Sequence, residues 1–139
     1  FCGYNMGDYF GHWIKIGNTV SDKNKLPKIF NVNWFRKDSN GKFLWPGYGD
    51  NIRVLKWIFE RIDNKAEAIE TPIGFVPKND SIDISGLNDQ ASKMAELLKV
   101  DKNEWLGECD MIEEHQAKFG NHLPSELSEE LKNLRKRLS

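Results

Sequence analysis

Cysteine is scarce in this chain of 139 residues, and its two copies, Cys2 and Cys109, lie far apart in the sequence. With no second pair, the sequence contains neither a disulfide framework nor a CxxC metal-binding pattern. Disulfides are rare in reducing compartments such as the cytosol. We therefore predict a cytoplasmic location.

The sequence also lacks an excess of charge of either sign and any long apolar run. Its 20 basic residues are matched by 21 acidic ones, which gives a formal net charge of −1. Nucleic-acid backbones are bound by clustered cations, and a membrane-spanning helix needs ~20 apolar residues. We therefore expect neither a nucleic-acid nor a membrane partner.

An initiator methionine and a polar leader are absent as well. The chain opens at Phe1 with the apolar, glycine-punctuated stretch FCGYNMGDYFGHW. Natural domains rarely begin on such an edge, so we expect a piece of a longer protein.

Apolar periodicity predicts a mixed chain of helices and a few strands. Up to residue 87 we expect an α/β part, and from 88 to 139 a helical segment. Five helices are predicted: residues 3–16, residues 51–62 with Asp50 as the cap, residues 89–99, a helix that contains Trp105 to Phe119, and a helix after Pro124. Three strands are predicted, at residues 28–35, 73–77 and 82–87. The sequence DSNG at 38–41 predicts a hairpin turn.

Two of these elements have a predicted buried face. In the strand KIFNVNWF, alternation places Trp34 toward the core and Phe35 on the opposite face. In the helix that follows Asp50, an apolar stripe is formed by Ile52, Leu55, Ile58 or Phe59, and Ile62.

The segment NVNWFRKDSNGKFLWPGYGDN, residues 31–51, is called here the aromatic connection. It holds five large rings, Trp34, Phe35, Phe43, Trp45 and Tyr48, among turn-forming residues. Such rings either fill the core under a long loop or form a slot for a flat ligand, where stacking on a base contributes about 1–3 kcal/mol. Asn51 follows them with an amide that offers a donor and an acceptor to a base edge.

No catalytic or metal-binding constellation accompanies the rings. The three histidines show no metal-ligand spacing, neither cysteine has a basic neighbour, and WPGYGDN lacks the Gly-Lys-Ser/Thr ending of a phosphate loop. Two other interpretations of the rings stay open. One is a single-stranded nucleic-acid module that also uses Arg36, Lys37 and Lys42, and the other is a proline-rich-peptide module built on Trp45 and Pro46.

Three stretches in order, FCGYNMGDYFGHW, LPKIFNVNWFRKDSNGKFLWPGYGDNIRVLKWIFERID and ETPIGFVPK, resemble the C-terminal part of GTP-dependent phosphoenolpyruvate carboxykinase. The resemblance runs through nearly the whole chain and is most specific in the aromatic connection. It implies an α/β fragment (α+β in isolation) of a larger nucleotide-binding domain.

The resemblance also implies roles for individual residues. Phe35 and Phe43 would flank one side of the guanine of GTP or GDP and Tyr48 the other, with Asn51 hydrogen-bonded to the base. Tyr48 stands where the family usually has phenylalanine, and it offers the same ring face. Phe1 would border the pocket for oxaloacetate and phosphoenolpyruvate.

The implied reaction converts oxaloacetate and GTP to phosphoenolpyruvate, carbon dioxide and GDP in gluconeogenic or anaplerotic metabolism. The Mn²⁺ or Mg²⁺ ligands, the phosphate loop and the catalytic residues of the family lie upstream of the matching part. We therefore expect no catalytic residue and no metal site in this chain, and no turnover by the chain alone. The resemblance implies a monomeric parent enzyme, whereas unpaired strand edges in the fragment favour self-association.

Overall fold

A computed structural model describes residues 2–139, and this part of the chain is an α+β arrangement, as the sequence predicts for the fragment. Its elements are α1 (Met6–Thr19), α2 (Asn51–Ile62), β1 (Ala68–Thr71), β2 (Gly74–Pro77), α3 (Gln90–Leu97), α4 (Lys102–Ala117) and α5 (Ser125–Leu138), with short 3-10 helices at Lys23–Lys25, Tyr48–Asp50 and Gly120–His122. β1 and β2 form an antiparallel hairpin in which Ala68 pairs with Pro77 and Thr71 with Gly74.

The described residues form two compact units. The terminal unit combines the residues up to Pro27 with Asp101–Ser139, and the central unit is Lys28–Val100. These units do not coincide with the parts 1–87 and 88–139, which were separated by element type. That division stays a prediction.

The core of the terminal unit lies between α4 and α5. Cys109 is fully buried there, together with Leu131 and Leu138. Trp105 and Leu134 pack against this cluster. Leu131, Leu134 and Leu138 therefore form the buried face of α5.

The N-terminus of α1 is attached to the short 3-10 helix that follows α4. The Asn5 side chain accepts a hydrogen bond from the backbone N–H of Gly7 at 2.8 Å and donates one to the carbonyl of Phe119 at 3.3 Å. Asp8 Oδ1 lies 2.8 Å from His122 Nδ1. Gly7 is buried, and a Cβ at this position would collide with the carbonyl oxygen of His122.

The central unit has an aromatic core. Trp45, Trp57 and Ile82 form its buried centre, against which Trp34 and Phe30 pack. Trp34 is thus on the core side and Phe35 on the solvent side, as the sequence predicts.

The strands predicted at 28–35 and 82–87 are wrong, although burial still alternates along residues 29–36. Local side-chain bonds replace strand pairing: Asn33 Oδ1 accepts the N–H of Phe35, and Asp83 Oδ1 accepts the N–H of Ser85, each at 2.9 Å. Short polar side chains compete with strand ladders in this way. The hydrogen bonds from Ser85 and the positive charge of Arg53 lower the pKa of Asp83.

The strand predicted at 73–77 is present as β2, whereas its partner β1 is not among the predicted strands.

The helix predicted after Asp50 is present as α2, but its buried face is different from the predicted one. Trp57 is the buried residue of α2, and Val54 and Ile58 pack beside it. Of the predicted stripe, only Ile58, which was given as the alternative to Phe59, lies on this packed face. The others are exposed: Ile52, Leu55, Phe59 and Ile62. The apolar residues of α2 cover a wider arc than the face that packs, and the part of this arc that carries the large indole of Trp57 turns inward.

The predicted cap of α2 is also wrong. The Asp50 side chain makes no capping hydrogen bond, and its Oδ1 instead accepts a hydrogen bond from Arg53 Nε at 3.0 Å. Arg53 also donates to the carbonyl of Asp83 at 2.9 Å. The start of α2 is thereby joined to the segment that contains Ile82.

We predict that Gly7→Ala lowers the free energy of unfolding by about 1–3 kcal/mol, because a methyl group there overpacks against the His122 backbone. The matched control is Gly17→Ala in the same helix, where a Cβ meets nothing within 4 Å. Since alanine is the better helix former, the control should raise stability by about 0.5–1 kcal/mol. Urea unfolding followed by circular dichroism measures both. Equal effects of the two substitutions would contradict the close contact at Gly7.

Candidate functional site

The first part of the site is a hairpin within the aromatic connection. The N–H of Leu44 donates to the carbonyl of Arg36 at 3.0 Å, and the N–H of Asp38 donates to that of Lys42 at 2.9 Å. Asp38 Oδ1 accepts the N–H groups of Asn40 and Lys42, each at 2.9 Å. The turn predicted at 38–41 is therefore confirmed, and the carboxylate of Asp38 holds it closed.

This hairpin carries two exposed phenylalanine rings. Phe35 is 73% exposed and Phe43 49% exposed. Their ring centroids are 6.2 Å apart with an interplanar angle of 61°. Lys37 places its ammonium nitrogen 5.1 Å from the Phe43 centroid, which brings one positive charge to the face of that ring.

Tyr48 lies beyond the hairpin, on the turn that leads into α2. Gly47 has φ of +99°, a value that a residue with a side chain rarely adopts, and the 3-10 helix begins directly after it. The Tyr48 side chain is 98% exposed. In the described part of the chain, no ring contact joins Tyr48 to Phe35 or Phe43, so the third predicted ring stands apart from the first two.

Asn51, the first residue of α2, is held by a buried tryptophan. The indole Nε1–H of Trp45 donates to Asn51 Oδ1 at 2.9 Å, and Trp45 is only 6% exposed. An indole N–H is a donor only, so the amide atom that faces it must be the oxygen. The NH₂ group of Asn51 is consequently the group directed away from Trp45.

Two side chains attach the hairpin to the two ends of α3. Gln90, which is 2% exposed, donates through Nε2 to the carbonyl of Leu44 at 3.1 Å. Arg36 donates through Nη1 to the carbonyls of Leu97 and Lys99, both at 3.2 Å. The backbone next to each phenylalanine is thus fixed to a helix.

Sequence reasoning did not identify Gln90 or Arg36 as site-positioning residues. A glutamine in the first turn of a helix is normally solvated, and the basic side chain of Arg36 suggests only a contact with a nucleic-acid backbone. Their partners are carbonyl groups far along the chain, and no local pattern in the sequence signals such bonds.

The remaining predictions concern Phe1 and metal binding. Phe1 lies outside the described residues. Among residues 2–139, no group of three or more His, Cys, Asp or Glu side chains is placed to hold a metal ion. No helix in the same range is long and apolar enough to cross a membrane.

Comparison with known proteins gives a consistent match over the whole chain. The family described as phosphoenolpyruvate carboxykinase C-terminal P-loop domain matches residues 1–137. Proteins named phosphoenolpyruvate carboxykinase (GTP) are 53% identical over 139 residues in Neocallimastix frontalis, 52% over 140 in Treponema pallidum and 49% over 138 in Renibacterium salmoninarum. These alignments cover 99%, 100% and 99% of this chain, respectively, but only 22%, 22% and 23% of the relatives.

The chain therefore spans about a fifth of the length of the curated relatives that it matches. Neither the nucleic-acid nor the peptide-binding interpretation receives support from these relatives. The family match and the high identity agree with the resemblance carried by the aromatic connection. The chain belongs to the family of phosphoenolpyruvate carboxykinase C-terminal P-loop domains.

Proposed function

We propose that this chain supplies the guanine-recognition part of a GTP-dependent phosphoenolpyruvate carboxykinase. The observation that carries the proposal is a division among the rings of the aromatic connection. Trp34 and Trp45 pack into the core, whereas Phe35, Phe43 and Tyr48 are exposed. Large aromatic side chains that stay exposed on an anchored connection are typical of a ligand-binding surface.

The three exposed rings provide stacking, and Asn51 provides a hydrogen bond. A guanine placed against the Phe35–Phe43 pair gains contact area on one face, and the Tyr48 ring covers the other when the base is bound. The NH₂ of Asn51 then donates to an acceptor on the edge of the base. These groups bind and orient the nucleotide, and they do no chemistry on its phosphates.

The reaction of the whole enzyme is oxaloacetate plus GTP to phosphoenolpyruvate, carbon dioxide and GDP. Phe1 borders the substrate pocket in this proposal. The described residues contain no fitting ligand set for Mn²⁺ or Mg²⁺, and the chain has no Gly-Lys-Ser/Thr phosphate-loop ending. As the resemblance to the family implies, we assign the metal site, the phosphate loop and the catalytic groups to the upstream part of the enzyme. We further propose that the whole enzyme is cytoplasmic and monomeric and that it acts in gluconeogenic or anaplerotic metabolism.

Phe35→Ala and Phe43→Ala in the full-length protein are expected to weaken GDP binding by about 1–3 kcal/mol each, since each removes a stacking surface. Isothermal titration calorimetry with GDP measures the change. Phe75→Ala is the matched control, because Phe75 is an exposed phenylalanine of the same unit and lies on β2, outside the aromatic connection. If Phe35→Ala and Phe43→Ala bind GDP as tightly as the Phe75→Ala control, the two rings do not belong to the binding site.

Asn51→Ala is expected to raise the KM for GTP far more than the KM for oxaloacetate. The substitution removes the amide that meets the base, whereas the residue assigned to the substrate pocket in this proposal is Phe1. Steady-state kinetics with each substrate varied at saturating concentration of the other gives both constants. A parallel rise of both KM values would show that the substitution disturbs the whole active site, and the assignment of Asn51 to guanine would be wrong.

A further inference from the structure

We infer that Trp45 is a specificity-determining residue, because its indole N–H fixes the orientation of the Asn51 amide and so selects a purine with an acceptor at position 6. The inference rests on the proposed function, in which Asn51 meets the edge of the base. It assigns to a buried core residue the discrimination between guanine and adenine nucleotides.

An asparagine on its own discriminates poorly between the two purines. Its C=O and NH₂ groups have nearly the same shape, and a half-turn of the amide exchanges acceptor for donor. Guanine presents an O6 acceptor where adenine presents a 6-NH₂ donor. A freely turning Asn51 would satisfy either base by choosing the appropriate orientation.

The hydrogen bond to Trp45 removes this freedom. Its length is 2.9 Å between Trp45 Nε1 and Asn51 Oδ1, and the indole has no acceptor to offer in exchange. Turning the amide would place its NH₂ against the indole N–H, so that two donors face each other. Trp45 is 6% exposed, and water has little access to satisfy its abandoned N–H. The amide therefore keeps its NH₂ toward the base, which suits O6 of guanine and opposes the 6-NH₂ of adenine.

The indole itself has little room to follow a turning amide. It is packed with Trp57 and Ile82 in the centre of the central unit. The preceding residue, Leu44, is fixed through its carbonyl to the buried Gln90. Core packing and a buried hydrogen bond thus hold the donor that orients Asn51.

Trp45→Phe in the full-length protein tests the inference, since it removes the N–H and retains an aromatic ring. The readout is the ratio of the dissociation constants for ADP and GDP, measured by calorimetry. Loss of a buried hydrogen bond predicts that this ratio falls about tenfold to a hundredfold. Trp57→Phe is the matched control, because Trp57 belongs to the same cluster but donates its N–H to the carbonyl of Glu67 at 3.3 Å. The control should keep the wild-type ratio.

If Trp45→Phe does not fold, replacement of Trp45 by benzothienylalanine provides the second variant, since it keeps the shape of the indole and lacks the N–H. A folded variant of either kind with the selectivity of Trp57→Phe would overturn the role of Trp45. The proposed function is tested separately by the wild type and Asn51→Ala. A wild-type protein without preference for GDP, or an Asn51→Ala protein with unchanged preference, would overturn guanine recognition itself.

Discussion

The buried indole of Trp45 connects the packing of the central unit to the candidate site. Its ring belongs to the aromatic core, and its only polar atom is bonded to the amide that faces the nucleotide in the proposed function. A hydrogen bond from a buried donor is costly to abandon, because the donor finds no other partner. The orientation of the Asn51 amide is therefore determined by the core rather than by the exposed loop.

The backbone that carries the exposed rings of Phe35 and Phe43 is fixed by hydrogen bonds between near neighbours and by hydrogen bonds to residues far along the chain. Asp38 closes the hairpin turn locally, and Gln90 and Arg36 then attach the hairpin to both ends of α3. Rings held on an anchored backbone lose little conformational entropy when a ligand binds, which preserves the free energy of stacking. Tyr48 follows Gly47, where the backbone adopts a conformation suited to glycine, and its ring is the most exposed of the three. In the proposed function, the Phe35–Phe43 pair is the preformed side of the slot and Tyr48 the side that closes on the base.

The features that could be predicted from the sequence are those that depend on interactions between residues close together in the chain. The turn at 38–41 and the helix after Asp50 were predicted correctly, because turn chemistry and helical periodicity act between near neighbours. The strand at 28–35 was wrong, since a strand needs a partner, and Asn33 offers a local hydrogen bond instead. Burial nevertheless alternates along this segment, so the sequence correctly predicted that Trp34 faces the core and Phe35 the solvent. The buried face of α2 could not be predicted, because its apolar residues cover a wide arc and only tertiary packing around Trp57 selects the part that is buried.

Hydrogen–deuterium exchange of the full-length protein, with saturating GDP and with saturating ADP for comparison, tests whether the base binds on the aromatic connection. We expect peptides covering residues 33–51 to exchange more slowly with GDP than with ADP, whereas peptides from α4 and α5 should not distinguish the two nucleotides. Tight binding of GDP with unchanged exchange across residues 33–51 would contradict it and place the guanine elsewhere in the enzyme.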